Sequence, residues 1–390
     1  MKIFFLLLFA SLSFAQDIKS IVKEALQQNL SLQAVKERIE AAQLSIKRAD
    51  NLDDPILTVG LNDLRLDDLF DRSLEPMQSH FVTLAQKIPA PNKRKLDKIL
   101  AMERTKTIQK EFALDKEKVA LQLYLNFTTY YEAKKKLAVI DRLLPLVRKN
   151  SHYLSSMMLF DSNKHLLLIK NDMLLDKIER KKLLLRQKLF RALRNIEALS
   201  LKKIDSIDLE LPSFEPKSLR DNKVLHLLVQ KTKLQQVKAK RVELDQKSDF
   251  IFKAGYYQRA GFHDYVSFSI GLNLPIYGTQ KIKYQEEKTK ELALQFQTND
   301  LEKQLKARIE SLRYDIGKLQ EELFILKQKT LRALEHFFSI SLAQIRTGKE
   351  LYGYLDMLED RYYLELEAIE IESLIFKKKV ELAYLTGALL

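Results

Sequence analysis

The sequence has 390 residues, a formal net charge of +14 and no cysteine, which excludes disulfides and thiolate metal sites. A basic surplus is typical of nucleic-acid-binding proteins, but the lysines here alternate with glutamates along helical stretches instead of clustering in one arm, which argues against that class. Nine Gly, eight Pro and 30% charged residues favour long, uninterrupted helices with solvated surfaces.

Residues 1–15 have the pattern of a cleaved secretory signal. Lys2 precedes an apolar run over 3–10, and Ser13-Phe14-Ala15 places small residues at the −3 and −1 positions of a cleavage site. The mature chain is therefore expected to start near Gln16, to be exported and to lack a lipid anchor, since no cysteine follows the signal. No later stretch reaches ~18 uninterrupted apolar residues, so no helical membrane span is expected.

The first half is predicted to form a helix, two strands, a very long helix, a turn and a further helix. Apolar spacings of three, four and seven indicate the helices, and the turn residues of "DNLDDP" (50–55) end the first one. Pro145 predicts a kink or a break in the long helix. The predicted bounds are helix 17–49, strands at about 55–61 and 80–88, a helix from after Pro91 to about Met158, a turn over 160–164 and helix 165–199.

The second half is predicted to repeat that order after a linker over 201–216. The predicted bounds are helix 217–246, strands at about 250–257 and 265–274, helix 278–346, a turn over 347–353 and a closing helix. The long helix has an apolar seam, meaning positions spaced alternately by three and four that share one face. The predicted seam residues are Leu319, Leu323, Leu326, Thr330, Ala333, Phe337 and Ile340.

The chain is interpreted as a duplication, with one repeat over 16–200 and another over 217–390. Pro89 and Pro275, each at a strand-to-helix corner, lie 186 residues apart, and the turn residues Asn163 and Gly348 lie 185 apart. Two landmarks at nearly one offset indicate an internal repeat, which sets the architecture.

The strand over 265–274 is apolar on one side only. Its apolar side consists of Val266, Phe268, Ile270, Leu272 and Leu274. Such alternation fits a half-buried soluble sheet and also a transmembrane strand of ~9–11 residues. Export, very long helices and too few strands for a sandwich favour the second interpretation, with this side facing lipid. Four strands cannot close a barrel, and open edges are not tolerated in lipid, so three copies pooling about 12 strands are expected.

Three stretches, in the order in which they occur along the chain, resemble the TolC family of outer membrane efflux proteins. The resemblance covers essentially the whole mature chain. The three stretches are "EALQQNLSLQAVKERIEAAQ" (24–43), "SFSIGLNLPIYGTQKIKY" (267–284) and the closing helical hairpin over 345–387. The resemblance implies a mainly α fold with a small β part, in which antiparallel coiled-coil helices and two β-hairpins trimerise. The trimer would form a 12-stranded outer-membrane barrel continued by a helical periplasmic tunnel. It would serve as the passive exit duct of a tripartite pump, with a periplasmic adaptor (membrane fusion protein) and an inner-membrane transporter of the RND type.

The first half further resembles the heavy-metal branch of that family. The matching stretches are "DDPILTVGLND" (53–63), "EPM" (75–77) and "QKIPAPNKR" (86–94). The chain departs from the branch at Ala90-Pro91-Asn92, where glycine before the lysine is usual. These are also strand and corner residues that many members share, so metal cations and drug-like small molecules both stay open as cargo.

The resemblance implies a periplasmic gate at Asp356 and Glu359. Two acids three residues apart share a helix face, and in a trimer they would ring a narrow aperture that attracts cations. They lie two residues further from Gly348 than is usual in the family, and they also fit an ordinary solvated helix face.

The resemblance also implies that the turns at the tunnel tip contact the adaptor. Gly348 is expected to supply a positive φ at the helix end. The candidate docking residues are Arg346, Thr347 and Lys349 with Gly348 in the second repeat, and Asp161, Ser162, Asn163 and Lys164 in the first.

No catalytic or metal-binding constellation is recognisable in the sequence. The six histidines are scattered without ligand spacing, and no Ser-His-Asp arrangement or phosphate loop occurs. We therefore expect no cofactor, no metal site and no enzyme activity. Two alternatives to the exit duct stay open at this stage, namely an exported coiled-coil spacer without a pore and a periplasmic adaptor.

Overall fold

The computed structural model describes residues 16–64, 73, 75–157, 164–345 and 351–390. Helices dominate these ranges and four strands interrupt them. In chain order the elements are α1 (Ile18–Gln28), α2 (Leu30–Arg48), β1 (Ile56–Asn62), β2 (Ser79–Ile88), α3 (Lys93–Met157), α4 (Lys164–Ser200), α5 (Lys223–Glu243), β3 (Phe250–Gln258), β4 (Tyr265–Leu272), α6 (Thr279–Ile325), α7 (Arg332–Ile345) and α8 (Leu351–Leu385). Short 3₁₀ turns flank α5, and a π-turn over Leu326–Leu331 joins α6 to α7.

The helix predicted over 17–49 is two helices, because Asn29 interrupts it. Asn29 has an extended backbone (φ −59°, ψ 121°), and its Oδ1 accepts hydrogen bonds from the backbone N–H groups of Ser31 (3.1 Å) and Leu32 (3.3 Å). A side chain that caps the first free N–H groups starts a new helix. The single continuous helix was therefore a wrong prediction.

The predicted break at Pro145 is also absent, since α3 continues through it as one helix of 65 residues. Proline removes one backbone hydrogen bond within a helix. Around it Leu143, Leu144 and Val147 are buried, and their packing holds the helical conformation on both sides.

The four strands form one antiparallel sheet in the order β1-β2-β3-β4. The two hairpins are β1–β2 and β3–β4, and β2 pairs with β3 over nine residue pairs, from His80 opposite Gln258 to Ile88 opposite Phe250. β4 ends at Leu272, so Leu274, predicted as part of this strand, lies beyond it. β1 and β4 are the edges of the sheet.

The chain divides into two compact units, one of residues 1–33, 113–223 and 302–390 and the other of residues 34–112 and 224–301. Each unit draws on both halves of the sequence, so the compact units differ from the predicted repeats. The second unit contains the whole sheet. In the first unit α3, α4, α7 and α8 share an apolar core that includes Ile140, Val147, Ile178, Phe338 and Leu358.

Helix α5 of the second unit binds two buried glutamates in the same way. Gln230 Nε2 donates to Oε2 of Glu103 on α3 (2.6 Å), and Gln235 Nε2 donates to Oε2 of Glu287 on α6 (2.6 Å). Each amide also donates to the backbone oxygen of the glutamate that it binds. These polar contacts fix the position of α5 between its two neighbours.

The π-turn changes the apolar seam predicted for the second long helix. The structure buries Leu326, Leu334 and Phe338, whereas Thr330, Ala333 and Ile340 are exposed. A π-turn accommodates one extra residue within a helix, so every later seam position moves on by one. The predicted seam is therefore correct up to Leu326 and wrong after it.

Candidate functional site

One face of the sheet is apolar and exposed across all four strands. The register places Leu57, Leu84, Ala254 and Phe268 in one row across the sheet. Val59, Val82, Tyr256 and Val266 form the neighbouring row. Phe268 is 81% exposed and Val59 70%. Large contiguous apolar patches of this kind mark surfaces that contact a partner or a membrane. Leu274, beyond the strand, is also exposed.

The opposite face of the sheet carries mostly small, polar and aromatic residues, with the exposed Ile56 and Ile251 near the corner end. Phe81, Tyr257 and Tyr265 lie opposite one another on β2, β3 and β4. The ring centroids of Phe81 and Tyr257 are 5.7 Å apart, and those of Tyr257 and Tyr265 are 4.7 Å apart. The sheet is therefore two-sided, as the alternation in the sequence predicts, and a stack of rings lies on its more polar side.

The two strand-to-helix corners share two backbone features. Pro89 follows β2 and Pro275 follows β4, and three residues later Asn92 (φ 69°) and Gly278 (φ 74°) adopt positive φ. The carbonyl oxygens of Asn92 and Gly278 accept hydrogen bonds from the backbone N–H groups of Leu96 and Ile282. These hydrogen bonds close the first turns of α3 and α6. Positive φ suits glycine and is tolerated by asparagine, so the two corners turn the chain in the same way with different residues.

Lys93 and Asp249 link the first corner to the start of β3. Lys93 is 5% exposed, and its Nζ lies 2.8 Å from Asp249 Oδ1. The same Oδ1 accepts the backbone N–H of Ala90 (2.9 Å). Burial by itself would raise the pKa of the Asp249 carboxyl, but the hydrogen bonds from Lys93, Ala90 and Lys87 lower it below its ordinary value. The carboxylate therefore stays charged and holds the corner.

The two acids of the predicted gate are paired with lysines of α4. Glu359 Oε1 lies 3.0 Å from Lys177 Nζ, and Asp356 forms an ion pair with Lys170. The hydrogen bond and the charge of Glu359 raise the pKa of Lys177. Within this chain, α8 is thus joined to α4 by two charge pairs, and neither acid stands alone.

Most of the predicted tip residues lie outside the described residues. These are Arg346, Thr347, Gly348, Lys349, Asp161, Ser162 and Asn163. Lys164 begins α4. The predicted signal over 1–15 also lies outside the described part of the chain.

Neither a metal-binding cluster nor a membrane-crossing helix occurs in the described residues. Among them, no group of three or more His, Asp or Glu side chains is arranged to hold a metal ion. No helix in the described ranges combines the length and the apolar character needed to cross a membrane.

Comparison of sequences finds no match for this chain, whereas comparison of folds finds similar solved structures. No family model matches the chain, and no curated protein matches it. A CusC structure, from a study of folding and transmembrane channel formation, has a TM-score of 0.78 at 10% identity over 96% of this chain and 93% of its own. The outer membrane protein VceC of Vibrio cholerae has a TM-score of 0.77 at 12% identity, over 95% and 96%. The open outer membrane channel MtrE of Neisseria gonorrhoeae has 0.78 at 12%, over 95% and 89%.

This chain therefore has the fold of outer membrane channel proteins over nearly its whole length. The expected mainly helical fold with a small antiparallel sheet is confirmed, and so is its likeness to outer membrane channels. The named neighbours are described as an outer membrane protein or as channels.

Four functional candidates were missed from the sequence. Lys170 and Lys177 gave no signal, because lysines are frequent along α4 and only packing selects which ones meet α8. The bond between Lys93 and Asp249 was missed because it joins residues that lie 156 positions apart in the sequence. The aromatic stack depends on strand register, although the alternation of 265–274 already placed Tyr265 on the polar side.

Proposed function

We propose that this chain is the outer membrane channel of a tripartite efflux system. Three copies form a passive exit duct, in which their sheets close a barrel of about 12 strands in outer membrane lipid. A periplasmic adaptor and an inner-membrane transporter of the RND type deliver the cargo. The duct itself needs no cofactor, catalyses no reaction and binds no nucleic acid.

The exposed apolar face of the four-stranded sheet is the observation that carries this proposal. Phe268, Ile270 and Val266 on β4 and Leu57 and Val59 on β1 are all more than half exposed. A soluble protein rarely leaves such a face uncovered, whereas lipid covers it. Backbone groups at a sheet edge must pair within lipid, so β1 of one copy is expected to pair with β4 of the next.

Cysteine cross-linking tests this arrangement directly, because the natural sequence contains no cysteine. One cysteine is placed on β1 at Val59, and in separate variants the second is placed on β4 at Val266, Phe268 or Ile270. Oxidation should give a covalent trimer for at least one pair in membranes. The control pairs Val82→Cys with Tyr256→Cys, which lie opposite each other within one chain and should yield monomer only.

Conductance completes the test. The purified oligomer should migrate as a folded trimer unless boiled and should conduct ions in a planar bilayer. A well-behaved monomer in buffer without detergent would overturn the proposal and favour the coiled-coil spacer or the adaptor.

The gate and the docking surface are further parts of the proposal. Asp356 and Glu359 would hold the periplasmic end closed, and their charge pairs with Lys170 and Lys177 support this by tying α8 to α4. The tip turns, with Gly348 and Asn163 at their centres, would receive the adaptor. The cargo is either metal cations, as the resemblance of residues 86–94 indicates, or drug-like molecules.

A further inference from the structure

Three aromatic rings form a continuous stack across neighbouring strands, and we name Phe81, Tyr257 and Tyr265 the aromatic ladder. The register sets each ring directly opposite the next. The planes of Tyr257 and Tyr265 differ by 1° at a centroid distance of 4.7 Å, and Phe81 is tilted by 32° from Tyr257. Parallel, displaced rings at this distance attract each other.

Small residues beneath the ladder allow the rings to lie against the sheet. A Cβ atom added to Gly60 would come within 2.6 Å of Phe81 Cζ, and one added to Gly255 would come within 2.9 Å of Tyr257 Cε2. Thr83, which lies opposite Gly255, is only 1% exposed. The ladder is thus a packed layer rather than a set of loose side chains.

A fixed positive charge lies at one end of the ladder. The guanidinium carbon of Arg259 lies 5.1 Å from the ring centroid of Tyr265, a cation–π distance. Arg259 Nε donates to the backbone oxygen of His263 (2.7 Å), and Nη1 donates to that of Pro76 (3.2 Å). The guanidinium is therefore held in place beside the rings.

The basic residues on this face outnumber the acids beside them. Lys87 and Lys253 share the ladder's face by register, and none of the four described strands contains Asp or Glu. Two acids flank the strands: Asp249 Oδ2 lies 3.3 Å from Lys87 Nζ, and Asp264 Oδ1 accepts the backbone N–H of Arg259 (2.8 Å), so Lys87, Lys253 and Arg259 leave the face net positive. Like charges repel in a narrow passage of low dielectric constant. This face therefore favours anions over cations.

We propose that the aromatic ladder is a binding track for planar aromatic anions inside the duct. The location inside a duct rests on the proposed function, because the ladder's face lines the lumen only if the opposite face meets lipid. Rings in the cargo gain contact with the ring edges that the ladder leaves accessible, and the basic residues attract its negative charge. A hydrated divalent cation gains neither contribution, so the ladder selects against metal cations as the cargo.

The test uses three probes that separate ring from charge. They are naphthalenesulfonate, its non-aromatic counterpart cyclohexanesulfonate, and the aromatic cation naphthylmethylammonium. Binding of naphthalenesulfonate to the detergent-solubilised oligomer is followed by fluorescence anisotropy, and the other two are assayed as competitors. Wild-type protein should bind the aromatic anion saturably, and neither competitor should displace it at equal concentration.

Variants assign the binding to the ladder. Tyr257→Leu should weaken binding about fivefold, the effect expected for one lost ring contact, while Tyr257→Phe keeps the ring and should bind like wild type. Phe81→Leu is a second variant, and each protein is first checked for migration as a folded oligomer. Unchanged binding in both leucine variants, or equal binding of cyclohexanesulfonate, would overturn the ladder proposal.

Bilayer recordings separate this proposal from the proposed function. Naphthalenesulfonate should interrupt the wild-type current in potassium chloride and should do so less in Tyr257→Leu. A conducting pore without ring-dependent block or binding refutes the ladder and leaves the duct standing. Ring-dependent binding by a protein that does not conduct supports the ladder and refutes the duct.

Discussion

Lys177 on α4 and Glu359 on α8 form an ion pair, with Nζ 3.0 Å from Oε1. Glu359 raises the pKa of Lys177, so the lysine side of the pair is fully charged below the ordinary lysine pKa of 10.5. The stability that Lys177 contributes is lost as the pH rises through the raised value. Together with the pair of Lys170 and Asp356, the pair of Lys177 and Glu359 joins two helices that lead to the predicted tip.

Replacing both gate acids should open the duct. In Asp356→Ala with Glu359→Ala, α8 loses both charge pairs with α4, so single-channel conductance in a bilayer should rise severalfold. The control is Glu179→Ala, which removes a similar pair between α4 and Arg148 of α3 (2.7 Å) and should leave conductance unchanged. Unaltered conductance of a correctly assembled double variant would remove these acids from the gate.

Breaking the corner bond should destabilise the protein. Asp249→Asn leaves the buried Lys93 ammonium with only its more distant acid, Asp245 (3.4 Å), which costs on the order of 2 kcal/mol. The temperature at which the oligomer dissociates on heating should fall accordingly. The double variant Lys93→Met with Asp249→Asn should lose less than the sum of the single variants, because the buried charge that lost its nearest partner is gone. Strict additivity would show that the two residues do not interact.

Deleting one residue from the π-turn should be tolerated. Removal of Lys329 shortens the spacing from Leu326 to Leu331 to that of an ordinary α-helix, so the buried Leu334 and Phe338 keep their face. We expect a melting temperature equal to or above that of wild type. The matched deletion of Arg313 falls within the regular helix α6 and moves Ile316 out of phase, so it should destabilise the protein. Equal losses in both variants would contradict the assignment of the extra residue to the π-turn.

The stability contributed by Glu287 should depend on pH in one direction. Burial opposes its charge, but hydrogen bonds from Lys238, Gln235 and Lys290 lower its pKa from 4.5 to about 2. A carboxyl group whose pKa is lower in the folded protein stabilises the fold at pH values above its pKa in the unfolded chain. This contribution is lost as the pH falls from about 4.5 towards 2.

Thermal unfolding of Glu287→Gln provides the measurement. At pH 7 the variant should be less stable than wild type by about 1–3 kcal/mol, and the difference should shrink on acidification below pH 4.5. The control is Glu302→Gln, at a solvent-exposed helix pair with Lys306, which should change stability little at any pH. A difference for Glu287→Gln that is constant from pH 7 to 3 would contradict the assignment.

The sequence by itself determined most of the elements and the two-sided strands. Apolar spacing along one helix and alternation along one strand are local properties, so β2 and β3 lie within a residue or so of their predicted bounds. Pro89 and Pro275 likewise indicated the corners, since proline has no backbone N–H with which to extend a strand ladder.

Only the tertiary structure decided which side chains meet. The pairing of β2 with β3 joins strands about 170 residues apart in sequence, and it alone assembles Phe81 and Tyr257 into one ladder. The π-turn could not be predicted from the local pattern either, because the residues after Leu326 fit two different apolar seams. Packing against α8 selected the one that buries Leu334 and Phe338. Contacts between distant segments depend on register and burial, and no single stretch of sequence contains either.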